Sequence, residues 1–148
     1  QAGPPCRANI TAEELHDLVV SFAEPLGFTP RLTVVGPLDD PETVDEWLRL
    51  DLLAVIREAL SNVARHAQAG EVDVAVVVQA DLVQVTVEDD GVGMIETGRR
   101  SGLANLSERA AGRRGSLVVL SPMAVLGGTR VIWEVPASVG AGPTGDPL

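Results

Sequence analysis

The sequence predicts an α+β fold, a two-layer α/β sandwich in which helices cover one face of a mixed, mostly antiparallel sheet. Two successive segments, 72–78 and 83–87, carry an apolar residue at every second position, and a short turn at Ala80-Asp81 joins them as a hairpin. Helical and strand patterns do not alternate regularly, which argues against a doubly wound parallel sheet. With 148 residues, 45% of them hydrophobic, the chain is long enough for one domain with a real core.

The first predicted elements are a helix and a short strand. Thr11 and Glu14 have the spacing of a capping box, so a helix is predicted from there to about Ala23. Pro25 is expected to end it, and a strand is predicted at 31–35.

A long helix is predicted next. Asp40 has the character of an N-cap and Pro41 suits the first helical position. The helix is expected to continue to Ala67, with a break near Trp47 left open, and Gly70 is its stop signal.

The last third of the chain is predicted to return to strands. In order, we expect a loop at 91–102, a helix at 103–111, and strands at 117–120 and 130–135 that join through Gly127-Gly128. Residues 1–9 are expected to be a flexible start, 10–136 a single domain, and 137–148 a disordered tail, because both ends are rich in Pro, Gly or Ala.

Composition excludes several classes of function. The net charge of −10 argues against binding to nucleic acid or to anionic membranes. No apolar run has the length of a membrane span, no signal peptide is recognised, and Cys6 is a lone cysteine, so a cytoplasmic location is expected. The chain has no lysine, which excludes a Walker-type phosphate loop. A nucleotide site here would have to use backbone amides, arginine and a metal.

One helical stripe carries polar chemistry. Glu58, Asn62 and His66 are four residues apart and therefore share a helix face, beside an apolar face. A carboxylate can act as a base or metal partner, and an amide oxygen can ligate Mg²⁺. Taken alone, the stripe is more typical of the solvated edge of an amphipathic helix than of a binding site.

Three glycine-containing segments follow. Asp89-Asp90-Gly91-Val92-Gly93 leaves a strand, where an acid can accept a ligand hydrogen bond and glycines allow close approach. The segment 98–103 leads into a helix whose first N–H groups favour phosphate, and Gly127-Gly128-Thr129 is a tight turn. Each has a plainer interpretation as a strand-ending turn, a solvated loop or a hairpin.

Four motifs occur in one order along the chain. They are Glu58…Asn62…His66, Asp89-x-Gly91-x-Gly93, Gly102-Leu103 followed by Glu108-Arg109, and Gly127-Gly128-Thr129. This order, over about residues 10 to 136, resembles the catalytic ATP-binding domain of bacterial sensor histidine kinases, a member of the GHKL group with the gyrase and MutL ATPases. The resemblance implies a Bergerat-type ATP-binding sandwich.

Finer resemblances concern the subgroup. Residues 57–67 and the segment that begins Gly102-Leu103 are similar to kinases that pair with NarL-type response regulators. Residues 35–38 resemble actinobacterial dormancy-type kinases with GAF domains (DevS/DosT-like).

The resemblance implies ATP and Mg²⁺ as cofactors and assigns a role to each site residue. At the adenine end, Asp89 would read the amino group, Gly91 and Gly93 would let the base approach the backbone, and Thr129 would line the pocket. At the phosphate end, Asn62 would be a Mg²⁺ ligand, and Glu58 would be the catalytic base or a partner of Mg²⁺ through water. Arg65 and His66 would lie beside the phosphates and the sugar. Gly102 and Leu103 would donate hydrogen bonds from their backbone amides to phosphate.

The segment from Met94 to Ser101 would be a short lid over ATP. Its arginines, Arg99 or Arg100, could pair with Glu58 and hold the lid closed, a hypothesis that rests on charge alone.

The resemblance also implies partners. The phosphoryl acceptor would be a histidine on a separate dimerisation domain of the same kinase, with relay to a NarL-type response regulator and a homodimeric full-length protein. His16 is interpreted as a surface histidine and not as the acceptor, so this chain is expected not to phosphorylate itself efficiently. The alternatives are a stand-alone GHKL-type ATPase and a degenerate nucleotide-binding module.

Overall fold

The computed structural model describes residues 12–38, 43–67, 70–91, 100–120 and 128–137. The helices are α1 (Ala12–Val20), α2 (Ala23–Leu26), α3 (Glu46–Asn62) and α4 (Arg100–Ala111), and a π-helical turn, Val63–Ala67, continues α3. The strands are β1 (Arg31–Val35), β2 (Val72–Val78), β3 (Leu82–Asp89), β4 (Ser116–Leu120) and β5 (Thr129–Pro136).

The strands form one five-stranded sheet in the order β1-β2-β3-β5-β4. Only β1 and β2 run parallel, with Arg31 opposite Asp73; the other neighbouring pairs are antiparallel. The predicted hairpin is β2–β3, closed by a hydrogen bond from the Gln79 N–H to the Leu82 carbonyl. The prediction of a mixed, mostly antiparallel sheet is therefore confirmed.

The core lies between one face of the sheet and the helices. Alternate residues of the three central strands are buried on this face, as the valines of β2 predicted. They pack with the buried side of α3 and with Leu15, Leu106 and Trp133, each fully buried. Burying this continuous apolar layer is the main stabilising contribution, and it confirms the two-layer sandwich.

The first helix differs from its prediction. It ends at Val20, and Pro25 does not terminate it but lies inside the separate short helix α2. Proline is tolerated there because an N–H in the first turn of a helix has no acceptor within that helix. Gly27 follows α2 with a φ of 88°, in the left-handed region that favours glycine.

The long helix begins later than predicted. Its N-cap is Asp45, whose Oδ1 accepts a 2.9 Å hydrogen bond from the Leu48 N–H, so the assignment of Asp40 as N-cap was wrong. No break occurs near Trp47, which is the second residue of α3 and is 72% exposed. The helix does reach Ala67, but its last turn is π-helical. The predicted stripe assumed that an α-helical turn joins Asn62 to His66. The π-helical turn replaces it, so the two residues do not have the predicted i, i+4 relation.

The fourth helix and the last strand are longer than predicted. The helix α4 begins at Arg100, so Gly102 and Leu103 are its third and fourth residues and not its opening. The strand β5 includes Pro136, and Ala137 beyond it is buried, with its N–H 3.2 Å from the Asp81 carbonyl oxygen. The predicted flexible start, 1–9, and residues 138–148 of the predicted tail lie outside the described residues.

In the described part of the chain, none of the helices has the length and apolar character needed to cross a membrane.

Candidate functional site

The end of β3 and the start of β5, which are neighbouring interior strands, bring polar residues together at one end of the sheet. Asp89 ends β3 and stands directly opposite Thr129, the first residue of β5, and both side chains are buried. The Asp89 Oδ1 accepts a 2.8 Å hydrogen bond from the Gly91 N–H. A buried carboxylate is costly unless it is hydrogen-bonded, and the Gly91 N–H provides one such bond. A carboxylate has about four acceptor sites, so it can accept further donors.

Gly128 holds these strand ends close together. Its N–H donates a 2.9 Å hydrogen bond to the Gly91 carbonyl, and its φ is 95°. A Cβ at this position would lie 2.7 Å from the Asp89 carbonyl oxygen. The glycine is therefore required both for its backbone conformation and for the close approach to Asp89.

Asp90 fastens the neighbouring connection to the same strand end. Its Oδ1 accepts hydrogen bonds from the N–H groups of Gly70 and Glu71, at 2.8 and 2.9 Å. These two donors, Gly70 first, hold the pKa of the Asp90 carboxyl below its usual range because they stabilise the charged form. The segment between the π-turn and β2 is thereby tied to the end of the sheet that carries Asp89.

The end of α3 supplies the second part of the site. Asn62, its last residue, is 3% exposed, and within the part of the chain that the structure describes its amide Nδ2 has no hydrogen-bond partner. A buried amide without a partner is unfavourable unless a ligand satisfies it. Glu58, one turn earlier, is half-buried, and Arg65 in the π-turn is exposed. The unpartnered Nδ2 is a donor and fits a phosphate oxygen, while the Asn62 Oδ1 and the Glu58 carboxylate are oxygen groups of the kind that Mg²⁺ takes as ligands.

The start of α4 supplies the third part. The two helices run antiparallel, because Arg109 of α4 contacts Asp51 of α3 while Asn105 and Glu58 line one groove between them. Continuing in this direction, the first turn of α4, with Gly102 and Leu103, lies toward the Asn62 end of α3. The first four N–H groups of a helix have no acceptor within the helix, so this turn can donate to phosphate.

The groove itself was not predicted from the sequence. It has a volume of about 320 Å³ and is lined by Ala54, Glu58, Asn105, Glu108 and Arg109. Arg109 also donates to the Asp51 Oδ1 at 2.8 Å, and Arg113 donates to the Asp51 Oδ2. The four-residue spacing of the two arginines was the available signal, but their shared acceptor, Asp51, lies about 60 residues earlier in the chain.

Several predicted site features lie outside the described residues. They are Gly93, the lid from Met94 to residue 99, the side chain of His66, and the pairing of Arg99 or Arg100 with Glu58. His16 is described, and it is exposed on the surface of α1, 3.9 Å from Asp17, in agreement with its interpretation as a surface histidine.

Comparison with known proteins adds a family, relatives and a fold. Residues 48–139 match the family described as histidine kinase-, DNA gyrase B-, and HSP90-like ATPase. The chain is 35% identical over 114 residues to the nitrate/nitrite sensor protein NarX of Escherichia coli (strain K12). The aligned region covers 75% of this chain and 18% of NarX.

It is also 30% identical over 105 residues to the sensor histidine kinase LnrJ of Bacillus subtilis (strain 168), covering 71% of this chain and 26% of LnrJ. The chain thus spans about a quarter or less of these relatives. Among solved structures, the ATP binding domain of PrrB from Mycobacterium tuberculosis has the same fold, with a TM-score of 0.54 and 24% identity over 83% of this chain and 93% of that one.

Proposed function

This chain belongs to the family of histidine kinase-, DNA gyrase B-, and HSP90-like ATPases, and from that premise we propose that it is the ATP-binding catalytic domain of a two-component sensor histidine kinase. In this proposal it binds ATP with Mg²⁺ and supplies the γ-phosphoryl group to a histidine on a separate dimerisation domain. The observation that carries the proposal is the buried Asp89 carboxylate, paired across the strand ends with buried Thr129.

At the adenine end, the Asp89 carboxylate accepts a hydrogen bond from the exocyclic amino group of the base. One carboxylate oxygen already accepts from the Gly91 N–H, which fixes the orientation of the side chain. Thr129, buried opposite Asp89, would line the adenine pocket, and Gly91, which has no side chain, would let the base approach the backbone. Gly93 is assigned the same role as Gly91, close approach of the base to the backbone, from its place in the motif alone.

At the phosphate end, the residues come from two helices. The buried Asn62 side chain would donate from Nδ2, which has no partner among the described residues, to a phosphate oxygen, and its Oδ1 would be the ligand for Mg²⁺. Bound Mg²⁺ would neutralise charge on the phosphates during transfer. Glu58 is assigned as the catalytic base or as a partner of Mg²⁺ through water.

The remaining donors at this end are backbone amides and cationic side chains. The N–H groups of Gly102 and Leu103, in the first turn of α4, would bind phosphate oxygens, because the N-terminal end of a helix favours an anion. Arg65 and His66 would border phosphate and sugar, and the segment 94–101 would close over the nucleotide.

The partners follow from the relatives and not from this chain. NarX is named as a sensor protein and LnrJ as a sensor histidine kinase, and the matched part of this chain spans 18% and 26% of their lengths. The acceptor histidine, a homodimer and a NarL-type response regulator are therefore proposed for the whole protein. The dormancy-type assignment stays a prediction. Domain limits of 10–136 and a cytoplasmic location, where ATP is supplied, complete the proposal.

The proposal is tested by calorimetric titration with ATP, GTP and a non-hydrolysable ATP analogue, with and without Mg²⁺. We expect Mg²⁺-dependent binding of ATP, preference over GTP, and no steady phosphate release. Asp89→Asn should reduce the preference for ATP about tenfold, because the amide presents a donor as well as an acceptor and a charged acceptor is lost. Asp81→Asn, in the exposed hairpin turn at the other end of β3, is the matched control.

Three results would change the assignment. Steady phosphate release by the wild-type chain would favour the stand-alone ATPase. Absence of nucleotide binding would favour the degenerate module, and an unchanged ATP-to-GTP ratio in Asp89→Asn would exclude adenine readout by this carboxylate.

A further inference from the structure

One carboxylate on α3 joins two arginines at the far end of α4. The Asp51 Oδ1 accepts from Arg109 Nη1 at 2.8 Å, while its Oδ2 accepts from the Nε of Arg113, in the turn after α4. The side chains of Asp51 and Arg113 are each only 23% exposed. Partial burial reduces screening by water, so this bridge holds its geometry better than an exposed pair would.

A second contact fixes the middle of the same helix. The indole N–H of the fully buried Trp133 donates a 3.1 Å hydrogen bond to the Leu106 carbonyl, and the Leu106 and Ala110 side chains are buried. The C-terminal half of α4 is thereby anchored to α3 and to β5. The first residue of α4, Arg100, lies nine positions before Arg109, which is about 13 Å along the helix axis.

A rigid helix anchored at one half carries its other half with it. The first turn of α4 holds the amides of Gly102 and Leu103, and α3 carries Glu58 and Asn62 two to three turns after Asp51. The separation of these two groups is therefore set at the opposite end of the helix pair. Arg109 also lines the groove beside Glu58, so its bond to Asp51 fixes one wall of that groove.

We propose that Asp51 is a positioning residue: through Arg109 and Arg113 it holds α4 at the spacing from α3 that lets the first-turn amides of α4 and Asn62 contact the same triphosphate. This inference rests on the proposed function. Asp51 lies more than one turn from Glu58 and has no assigned role in nucleotide binding. We therefore expect a substitution at Asp51 to weaken binding at the phosphate end and to leave binding of adenine at Asp89 unchanged.

The chemistry of the bridge selects the variant. An asparagine at position 51 presents one acceptor oxygen and one N–H₂ donor, so it can accept from one arginine while its donor faces the other. Asp51→Asn therefore breaks half of the bridge without changing volume. Asp51→Glu keeps both acceptor oxygens and the charge.

The test measures affinity for ATP and for adenosine by NMR titration of the ¹⁵N-labelled chain, which detects millimolar binding. Adenosine shares the base and sugar of ATP but has no phosphates. For Asp51→Asn we expect about a tenfold weaker affinity for ATP, comparable to the loss of one charge-assisted hydrogen bond, and less than about a twofold change for adenosine. Asp51→Glu should recover most of the ATP affinity.

The matched control is Asp73→Asn. Asp73 also accepts from arginine with both carboxylate oxygens, at 2.7 and 3.1 Å, but both bonds come from the single, exposed Arg31, and Asp73 lies on the sheet face opposite the helices. It should leave both affinities unchanged.

Each remaining outcome is decisive. Equal losses for ATP and adenosine would show that Asp51 supports the fold only and would overturn the positioning role, as would an unchanged ATP affinity in Asp51→Asn. A wild-type chain that binds neither compound would instead refute the proposed ATP-binding function, and the inference with it.

Discussion

Replacing Gly128 by alanine should both destabilise the domain and weaken ATP binding. Three glycines with positive φ separate the causes: Gly27 (88°), Gly36 (98°) and Gly128 (95°). A Cβ at Gly27 would meet nothing within 4 Å, one at Gly36 would fall on the Val78 carbonyl oxygen, and one at Gly128 would lie 2.7 Å from the Asp89 carbonyl oxygen. The three alanine variants thus test backbone strain alone, strain with overlap away from the site, and strain with overlap at the site.

The magnitudes follow from these environments. Alanine in the left-handed region costs about 1–2 kcal/mol, of which about 0.4–1 kcal/mol is offset by the lower entropy of the unfolded chain. Gly27→Ala should therefore cost about 1 kcal/mol. At Gly128 the added Cβ must gain space against a strand backbone, for a further ~1–3 kcal/mol, so the total is about 3 kcal/mol. Gly36→Ala should cost at least as much.

The assay combines urea denaturation with calorimetric ATP titration at a temperature where circular dichroism shows every variant folded. Gly36 contacts Val78 at the opposite end of β2 from the Asp89 end of the sheet, about 20 Å away at the strand rise. Gly36→Ala should thus lose stability but keep its ATP affinity. Gly128→Ala should lose about tenfold in affinity, because Asp89 and Thr129 are displaced.

Two results would refute this reasoning. If Gly128→Ala is no less stable than Gly27→Ala, the close approach to Asp89 does not constrain the strand ends. If Gly36→Ala and Gly128→Ala lose ATP affinity equally, the loss reflects general destabilisation and not the position of Asp89.

Two further predictions concern contacts around the site. Trp133→Phe removes the donor to the Leu106 carbonyl and leaves space in the core, so we expect a loss of about 2 kcal/mol in urea denaturation; a loss below ~0.5 kcal/mol would contradict this role. Because the pKa of Asp90 is lowered in the folded state, its stabilising contribution is complete above the ordinary value of ~3.9 and is lost as the pH falls through the lowered pKa. Asp90→Asn should therefore be less stable than wild type at pH 7, with the difference shrinking as the pH falls through the lowered pKa; a difference that does not shrink in acid would contradict this assignment.

The sheet was predictable because its signal is local. The alternation of valines in 72–78 and 83–87 fixes which face is buried, and a two-residue turn leaves few registers. The motif residues Asp89 and Thr129 were also identified correctly as neighbours, since the resemblance supplied what two separated strands could not.

Helix boundaries and helix contacts were not predictable in the same way. Asp40-Pro41 and Asp45 are both acceptable helix starts by local rules, and packing of Val44 and Leu48 into the core decides for the later one. The π-turn preserves the apolar spacing up to Val63, so periodicity does not reveal it. The bridge from Asp51 to Arg109 is a tertiary contact, and the spacing of Arg109 and Arg113 does not reveal which acidic residue the two arginines share.

The strand order has a consequence for how the chain folds. The β2–β3 hairpin pairs residues through a two-residue turn, whereas the β1–β2 pairing joins Arg31 to Asp73, 42 residues apart. Closing the shorter loop costs far less chain entropy, so the hairpin can form early and serve as a template, while the parallel edge strand must wait until the whole α3 segment has been placed. Mutations in the hairpin should accordingly slow folding, and mutations in β1 should mainly speed unfolding.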